Sequence, residues 1–328
     1  MQKIFPRGSR PLVNSRRTLL EAAGTLGVLG PLGLLSSGTA QAAATSSAAV
    51  SSGQNQMHSL RYFMQTPELP AFSTPYGDNA AAGHHVSAGD VTIYYETYGD
   101  ENPGEPVLVL HGGGVGCAYE MGGFIDELRK TRRVIIPSTR GHGRSGFGTE
   151  LITYEQKALD MMAVVRAEGL GHAAILGFSD GAYTAYRIAE MFPEFPTRIV
   201  AIGAGENIPG LRQVVVDLDA LEAFDPPFIA QQLALQPRPD KARWKAWLKD
   251  YGAFYSGLLV SKNIFMRIKA PVLLVSGELD GNAPLDTVLA AWREIPEARL
   301  AIIPGAPHPC FITNFDAVWA GVKPFLGL

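Results

Sequence analysis

The sequence predicts an α/β fold, a mostly parallel sheet covered by helices on both faces. Three observations predict it. Short apolar runs recur at residues 106–110, 133–136, 173–176, 199–202, 272–275 and 300–303, as expected of parallel strands buried on both faces. Helical segments alternate with them, as parallel crossovers require. One run, His172-Ala173-Ala174-Ile175-Leu176, passes through the tight turn Gly177-Phe178-Ser179-Asp180-Gly181 into a helix-forming stretch, residues 182–191.

Taken in order, the chain begins with a basic segment. Lys3, Arg7, Arg10, Arg16 and Arg17 lead into an apolar, glycine-rich stretch, residues 19–35. Pro31 and several glycines break that stretch, so it makes a poor membrane span. Ser15-Arg16-Arg17-Thr18-Leu19-Leu20 resembles a twin-arginine (Tat) export signal. Small residues follow. Ala40-Gln41-Ala42 is the candidate cleavage site, with Gln41-Ala42-Ala43 and Ala42-Ala43-Ala44 as alternatives. Residues 1–42 are therefore expected to be a Tat signal peptide. The resemblance implies the Tat export machinery as a partner and a periplasmic or secreted destination from a bacterium.

Residues 43–82 form an Ala/Ser-rich leader and an N-terminal arm whose order the sequence leaves open. The folded α/β domain is expected over residues 83–328, with the insertion at 208–267. His84 and His85 are adjacent on a strand and face opposite ways, so no metal site is expected there. Residues 91–98 alternate and should form an early antiparallel strand at the sheet edge. Tyr154, Ala158, Met161, Met162 and Val165 fall on one helical stripe. Residues 208–267 interrupt the strand pattern. Leu211, Val214, Val215, Leu218 and Leu221 follow helical spacing, as do Trp244, Trp247, Leu248 and Tyr251. This insertion should be a small helical cap over the C-terminal sheet edge, where ligands bind in such folds. The Trp pair is expected in the core of that cap rather than against substrate.

The candidate site grows out of the turn at Ser179. A strand–turn–helix context makes Gly-x-Ser-x-Gly a nucleophile elbow, which holds the serine on a strained backbone. A serine hydroxyl needs a base to take its proton. His308, in the loop after residues 300–303, can serve near neutral pH. Asp280, just past residues 272–275, can fix the imidazole tautomer and stabilise the imidazolium. His111-Gly112-Gly113-Gly114 follows residues 106–110 and can aim backbone N–H groups at a developing oxyanion. Gly113 is the first choice of donor there, with Gly112 and Gly114 as alternatives. The second donor is the N–H of Asp180, after the nucleophile. His111 is expected to shape the turn. The Asp180 side chain can serve the helix N-terminus or take a cationic substrate group.

This order of nucleophile, acid and histidine resembles the α/β-hydrolase superfamily over residues 83–328. Ser276-Gly277-Glu278-Leu279-Asp280 with Pro284 resembles its acid loop, and Arg140-Gly141-His142-Gly143-Arg144-Ser145 resembles the loop after its fourth strand. One departure stands out: Ser138 occupies the place, two before Arg140, where the family usually carries an acid. The Ser-Asp-Gly elbow is similar to that of biphenyl-hydrolase-like esterases, the group containing valacyclovir hydrolase. The resemblance implies an eight-stranded sheet and a cofactor-free serine hydrolase acting on a carboxylic ester or lactone of small to medium size through an acyl-enzyme. The same triad also serves C–C bond hydrolysis and cofactor-free perhydrolase or haloperoxidase chemistry. A catalytically silent binding protein on the same fold is the non-enzyme alternative, and an intact triad speaks against it.

Composition narrows the classes further. The chain carries 28 basic and 31 acidic residues. Residues 1–42 hold five basic residues and one acid, which leaves 23 against 30, a net charge of about −7 for the remainder. That argues against nucleic acid as a partner, which calls for a basic face. The two cysteines, Cys117 and Cys310, lie on loops that the fold brings together. They either bridge after export or remain as small pocket-wall residues.

Overall fold

A computed structural model describes residues 60–328. The expected export signal, its candidate cleavage site and the expected Ala/Ser-rich leader lie outside the described residues. The strands are β1 (Gly83–Ala88), β2 (Val91–Tyr98), β3 (Gly104–Leu110), β4 (Arg132–Pro137), β5 (Ala173–Phe178), β6 (Pro196–Ile202), β7 (Val272–Gly277) and β8 (Ala298–Ile303). They form one sheet in the order β1-β2-β4-β3-β5-β6-β7-β8. β1 and β2 pair antiparallel, and β2 meets β4 antiparallel. Every other pairing is parallel.

The register positions the site. Leu110 pairs with Gly177, Phe178 with Ile202, Ile202 with Val275, and Gly277 with Ile303. The last residues of β3, β5, β6, β7 and β8 therefore align along one edge. The loops that carry Gly113, Ser179, Asp280 and His308 leave that edge side by side.

The expectation that residues 91–98 form the edge strand needs correction. β2 lies between β1 and β4, and β1 is the outer strand. β1 reads Gly-His-His-Val-Ser-Ala with mostly exposed or half-buried residues. A strand paired on one side and open to water carries little apolar signal.

The helices are α1 (Gly122–Leu128), α2 (Tyr154–Ala167), α3 (Asp180–Met191), α4 (Leu218–Phe224), α5 (Pro226–Leu235), α6 (Lys241–Ser256), α7 (Lys262–Phe265), α8 (Leu285–Glu294), α9 (Cys310–Thr313) and α10 (Phe315–Phe325). The α2 stripe is buried as expected. Thr153 caps α2 by accepting from the Gln156 N–H at 3.0 Å, and Asp240 caps α6 by accepting from the Arg243 N–H at 2.9 Å.

α4 to α7 lie between β6 and β7. Helical spacing overstates this insertion at its start, because helix begins only at Leu218. Val214 and Val216 are buried while Val215 is exposed, a period of two. The segment has no helix, and the Val214 N–H donates to Ser256 Oγ at the end of α6. Pro209 and the positive φ of Gly210 break any helix upstream.

Residues 60–82 of the arm tie two regions together. Arg61 and the Met64 N–H both donate to Asp225 at the start of α5, at 3.0 and 2.6 Å. The N–H groups of Gly77 and Asn79 donate to the buried Glu96 carboxylate in β2, at 2.9 and 2.7 Å.

Candidate active site

Ser179 has φ 51° and ψ −113°. This is a left-handed backbone on a residue with a Cβ, a strain of roughly 1–3 kcal/mol that the surroundings must hold. They do so by close approach. A Cβ on Gly177 would fall 2.5 Å from the Gly181 carbonyl oxygen, and one on Gly181 would fall 2.3 Å from that of Leu110. The Ser179 N–H donates to the Ile202 carbonyl at 2.7 Å, which pins the turn to the next strand.

His308 bridges the other two residues. Its Nε2 is 2.9 Å from Ser179 Oγ and its Nδ1 is 2.8 Å from Asp280 Oδ2. The carboxylate can only accept, so Nδ1 carries the proton and Nε2 presents a lone pair to the serine. Asp280 Oδ1 accepts the N–H groups of Asn282 and Ala283 at 2.8 and 2.7 Å. Burial works to raise the Asp280 carboxyl, but the charge and hydrogen bond of His308 and these two amides outweigh it and hold it below the usual range. Gly203, in the loop after β6, backs the pair: a Cβ there would fall 2.9 Å from His308 Cε1.

On the other side of Ser179, the three glycines after His111 divide their duties. The Gly112 N–H donates to Glu120 Oε1 at 2.7 Å. It is therefore not available to an oxyanion. The Gly113 N–H has no such partner among the described residues. The Asp180 N–H opens α3, where first-turn amides lack intrahelical acceptors. His111 is fully buried. Its Nδ1 lies 2.6 Å from the Gly112 carbonyl and its Nε2 accepts from the Thr139 N–H at 3.0 Å, so it shapes the loop.

The Asp180 side chain is occupied. Lys157 of α2 donates to Oδ2 at 2.5 Å, and the hydroxyls of Tyr154 and Tyr255 donate to Oδ1 at 3.0 and 3.1 Å. Both ions are wholly buried. Burial raises the Asp180 carboxyl, yet the adjacent ammonium keeps it below the usual range and ionised. A cationic substrate group therefore finds this carboxylate already neutralised from within. Tyr251 of α6 closes over the same place, because a Cβ on Gly113 would fall 1.6 Å from its hydroxyl oxygen and 2.8 Å from Asp180 Cβ. α6 thus roofs the loop that carries the candidate oxyanion donors.

Motif reading missed Lys157, Tyr154, Tyr251, Tyr255, Glu120 and Gly203. One signal was present for the first: Lys157 is a cation three residues after Tyr154 and four before Met161, on the apolar side of α2. Such a lysine needs a buried partner.

The departure at Ser138 is compensated from elsewhere. Asp160 of α2 accepts from Arg140 Nε and Nη2 at 2.6 and 2.9 Å, and Asp90 accepts at 3.2 Å. The acid that anchors this loop comes from a distant helix. Cys117 and Cys310 are both free and buried, so no bridge joins them. Burial pushes both thiols up, that of Cys310 to about 12. Among the described residues no group of three or more His, Cys, Asp or Glu side chains is placed to hold a metal ion.

An eight-stranded, mostly parallel sheet with these loops at its C-terminal edge defines a class, and sequence comparison agrees. The chain belongs to the alpha/beta hydrolase family, which it matches over residues 107–320. It is similar to the pimeloyl-[acyl-carrier protein] methyl ester esterase of Pectobacterium carotovorum, 26% identical over 71% of this chain and 98% of that protein. It is also similar to a 2-hydroxy-6-oxo-6-phenylhexa-2,4-dienoate hydrolase of Burkholderia cepacia, 25% identical over 64% of this chain and 83% of that one. Among solved structures, a meta-cleavage product hydrolase from Pseudomonas fluorescens IP01 shares the fold. Its TM-score is 0.63 at 20% identity, covering 76% of this chain and 99% of that one.

Proposed function

We propose that this chain is a serine hydrolase that cleaves a carboxylic ester or lactone of small to medium size. The observation that carries the reading is His308 standing within hydrogen-bond reach of both Ser179 Oγ and Asp280 Oδ2. In this reading His308 takes the Ser179 proton as Oγ attacks the carbonyl carbon. The negative oxygen of the tetrahedral intermediate is held by the N–H groups of Gly113 and Asp180. His308 then hands its proton to the leaving alkoxide, and an acyl-enzyme remains. Water, deprotonated by the same imidazole, attacks that acyl group and releases the acid. Asp280 keeps the imidazole in the required tautomer throughout.

Ester chemistry draws support from the 26%-identical methyl ester esterase. Carbon–carbon bond hydrolysis on the same triad is a second reading, supported by the 25%-identical dienoate hydrolase. The test is a Ser179→Ala variant assayed with p-nitrophenyl esters, lactones and a ring-fission dienoate. Loss of the nucleophile is expected to lower kcat on the order of 10⁶-fold with folding intact. Retained ester turnover in the variant would assign the attack to another residue. Turnover of the dienoate alone by the wild type would replace the ester reading by the second.

A further inference from the structure

Asp180 follows the candidate nucleophile and opens α3, and its N–H is one of the two candidate oxyanion donors. Its carboxylate lies no more than about 4 Å from that N–H, because one short side chain joins them. The other candidate donor is close as well: a Cβ on Gly113 would fall 2.8 Å from Asp180 Cβ. A full negative charge here would repel the oxygen that turns negative as the carbonyl is attacked. We propose that Lys157 is a positioning residue of the oxyanion site, cancelling the Asp180 charge so that the two N–H groups can hold an anion. The proposal rests on Ser179 being the nucleophile.

Three observations carry it. The first is the source of the counter-charge. The Lys157 ammonium donates to Asp180 Oδ2 at 2.5 Å. Tyr154 and Tyr255 hold Oδ1 at 3.0 and 3.1 Å, but a phenol brings a hydrogen bond and no charge. Lys157 and Asp180 together carry no net charge.

The second is dryness. Both side chains are wholly buried. The Tyr251 ring of α6 centres 4.9 Å from Lys157 Nζ, and the Tyr154 ring of α2 centres 5.7 Å from it. Water does not screen a charge sealed in this way, so losing one ion leaves the other acting at short range. The neighbouring groups do not replace it. Burial keeps His111 and His142 neutral, lowering them to about 4 and about 3. Burial also raises the phenols of Tyr154, Tyr251 and Tyr255 well above their usual range. Arg140 is bound to Asp160 at 2.6 Å.

The third is that helix packing does not call for the pair. α2 and α3 pack together, and each buries apolar residues along its length. A buried ion pair seldom stabilises a fold more than apolar residues of similar volume do. Its place against both candidate donors gives Lys157 a duty that stability does not supply.

The test reads the affinity of 2-phenylethylboronic acid. Ser179 Oγ adds to boron while its proton passes to His308, and the tetrahedral boronate that forms carries the negative charge of an oxyanion. Lys157→Gln keeps a hydrogen-bond donor for Asp180 and removes the cation. It should bind the boronate roughly 30-fold more weakly than wild type at pH 8, while KM for a neutral p-nitrophenyl ester changes less than about twofold. The deficit should shrink toward pH 6, as the unpaired Asp180 carboxyl takes up a proton. Lys157→Gln with Asp180→Asn removes both charges and should return to within about threefold of wild type at every pH. Where Lys157→Gln folds poorly, Asp180→Asn carries the test: it leaves the ammonium unopposed and should tighten the boronate severalfold at pH 6. Ser179→Ala should lose the boronate, and unchanged affinity there would strike the nucleophile reading and this proposal with it. With the boronate lost in Ser179→Ala, four outcomes overturn the proposal and leave that reading standing. They are a Lys157→Gln variant that binds the boronate like wild type at every pH, equal weakening of ester and boronate, a double variant as weak as the single one, and weaker binding by Asp180→Asn at pH 6.

Discussion

On one side of Ser179 stand His308 and Asp280, carried on the loops after β8 and β7. On the other stand Gly113 and Asp180, overlain by Tyr251 and Tyr255 of α6. On the first side the Asp280 carboxylate takes two amides from its own turn and the His308 ring from 28 positions away. On the second side no partner among the described residues comes from the same turn. Its carboxylate is bound by residues 23, 26 and 75 positions distant, and one of them is a fully buried ammonium. The two sides also differ in wetness. His308 keeps 16% of its side chain exposed, whereas Asp180 and Lys157 are sealed. A proton relay needs access and small adjustments. Oxyanion donors do better when fixed and dry, because charge interactions strengthen where water is excluded.

The comparison can be broken most directly at Lys157. Lys157→Met leaves Asp180 buried without a counter-ion, and such a loss costs about 3–5 kcal/mol. Urea unfolding of the variant should report a drop of that size, and wild-type stability would show that the ion pair does not hold this side together. A subtler probe is Gly113→Ala. Its new methyl meets the Tyr251 hydroxyl and Asp180, so α6 or the loop must shift. Removing one oxyanion donor costs about 10²–10³ in kcat. We expect a fall at the lower end of that range, with KM changed much less. A variant with normal kcat would move the oxyanion site away from Gly113.

A third probe, read through pH, is Glu120. Burial raises its carboxyl to about 8 in the folded chain, against roughly 4.3 when unfolded. Between those values the folded state holds the extra proton. The stabilisation from this group is thus complete below about pH 4.3 and is lost as pH rises through about 8. Glu120→Gln keeps an acceptor for the Gly112 N–H and cannot ionise. Its stability relative to wild type should grow from pH 5 to about pH 8 and then level off in denaturant titrations. A flat difference would mean that Glu120 is not buried as an acid.

Much of the candidate site was legible because its signals are local. Gly177-Phe178-Ser179-Asp180-Gly181 encodes a strained turn within five residues, and Asp280 and His308 each follow a recognisable apolar run. The partners of Asp180 were not legible. Nothing near residue 180 announces Lys157 or Tyr255, and only a lysine on the apolar side of α2 hinted at a buried pair. The loop at Arg140 teaches the same lesson. Its neighbouring position is Ser138, and the missing carboxylate is supplied by Asp160 through a contact between elements. The strand at His84 and His85 is legible, but its place at the sheet edge goes to residues 91–98 in the sequence reading, because one face and one edge in water demand little hydrophobicity. Residues 211–217 misled because apolar spacing of three and four also fits a segment without helix that has one exposed valine.

By itself, the sequence determined the order of strands and helices, the strained turn at Ser179, and the residue types able to pass a proton. These depend on backbone sterics and side-chain chemistry over a few residues. Only the tertiary structure decided which buried charges meet, which glycine N–H is left for an oxyanion, and how α6 roofs the loop. Those outcomes depend on distances between segments far apart in the chain, set when the sheet aligns its strand ends and the core excludes water.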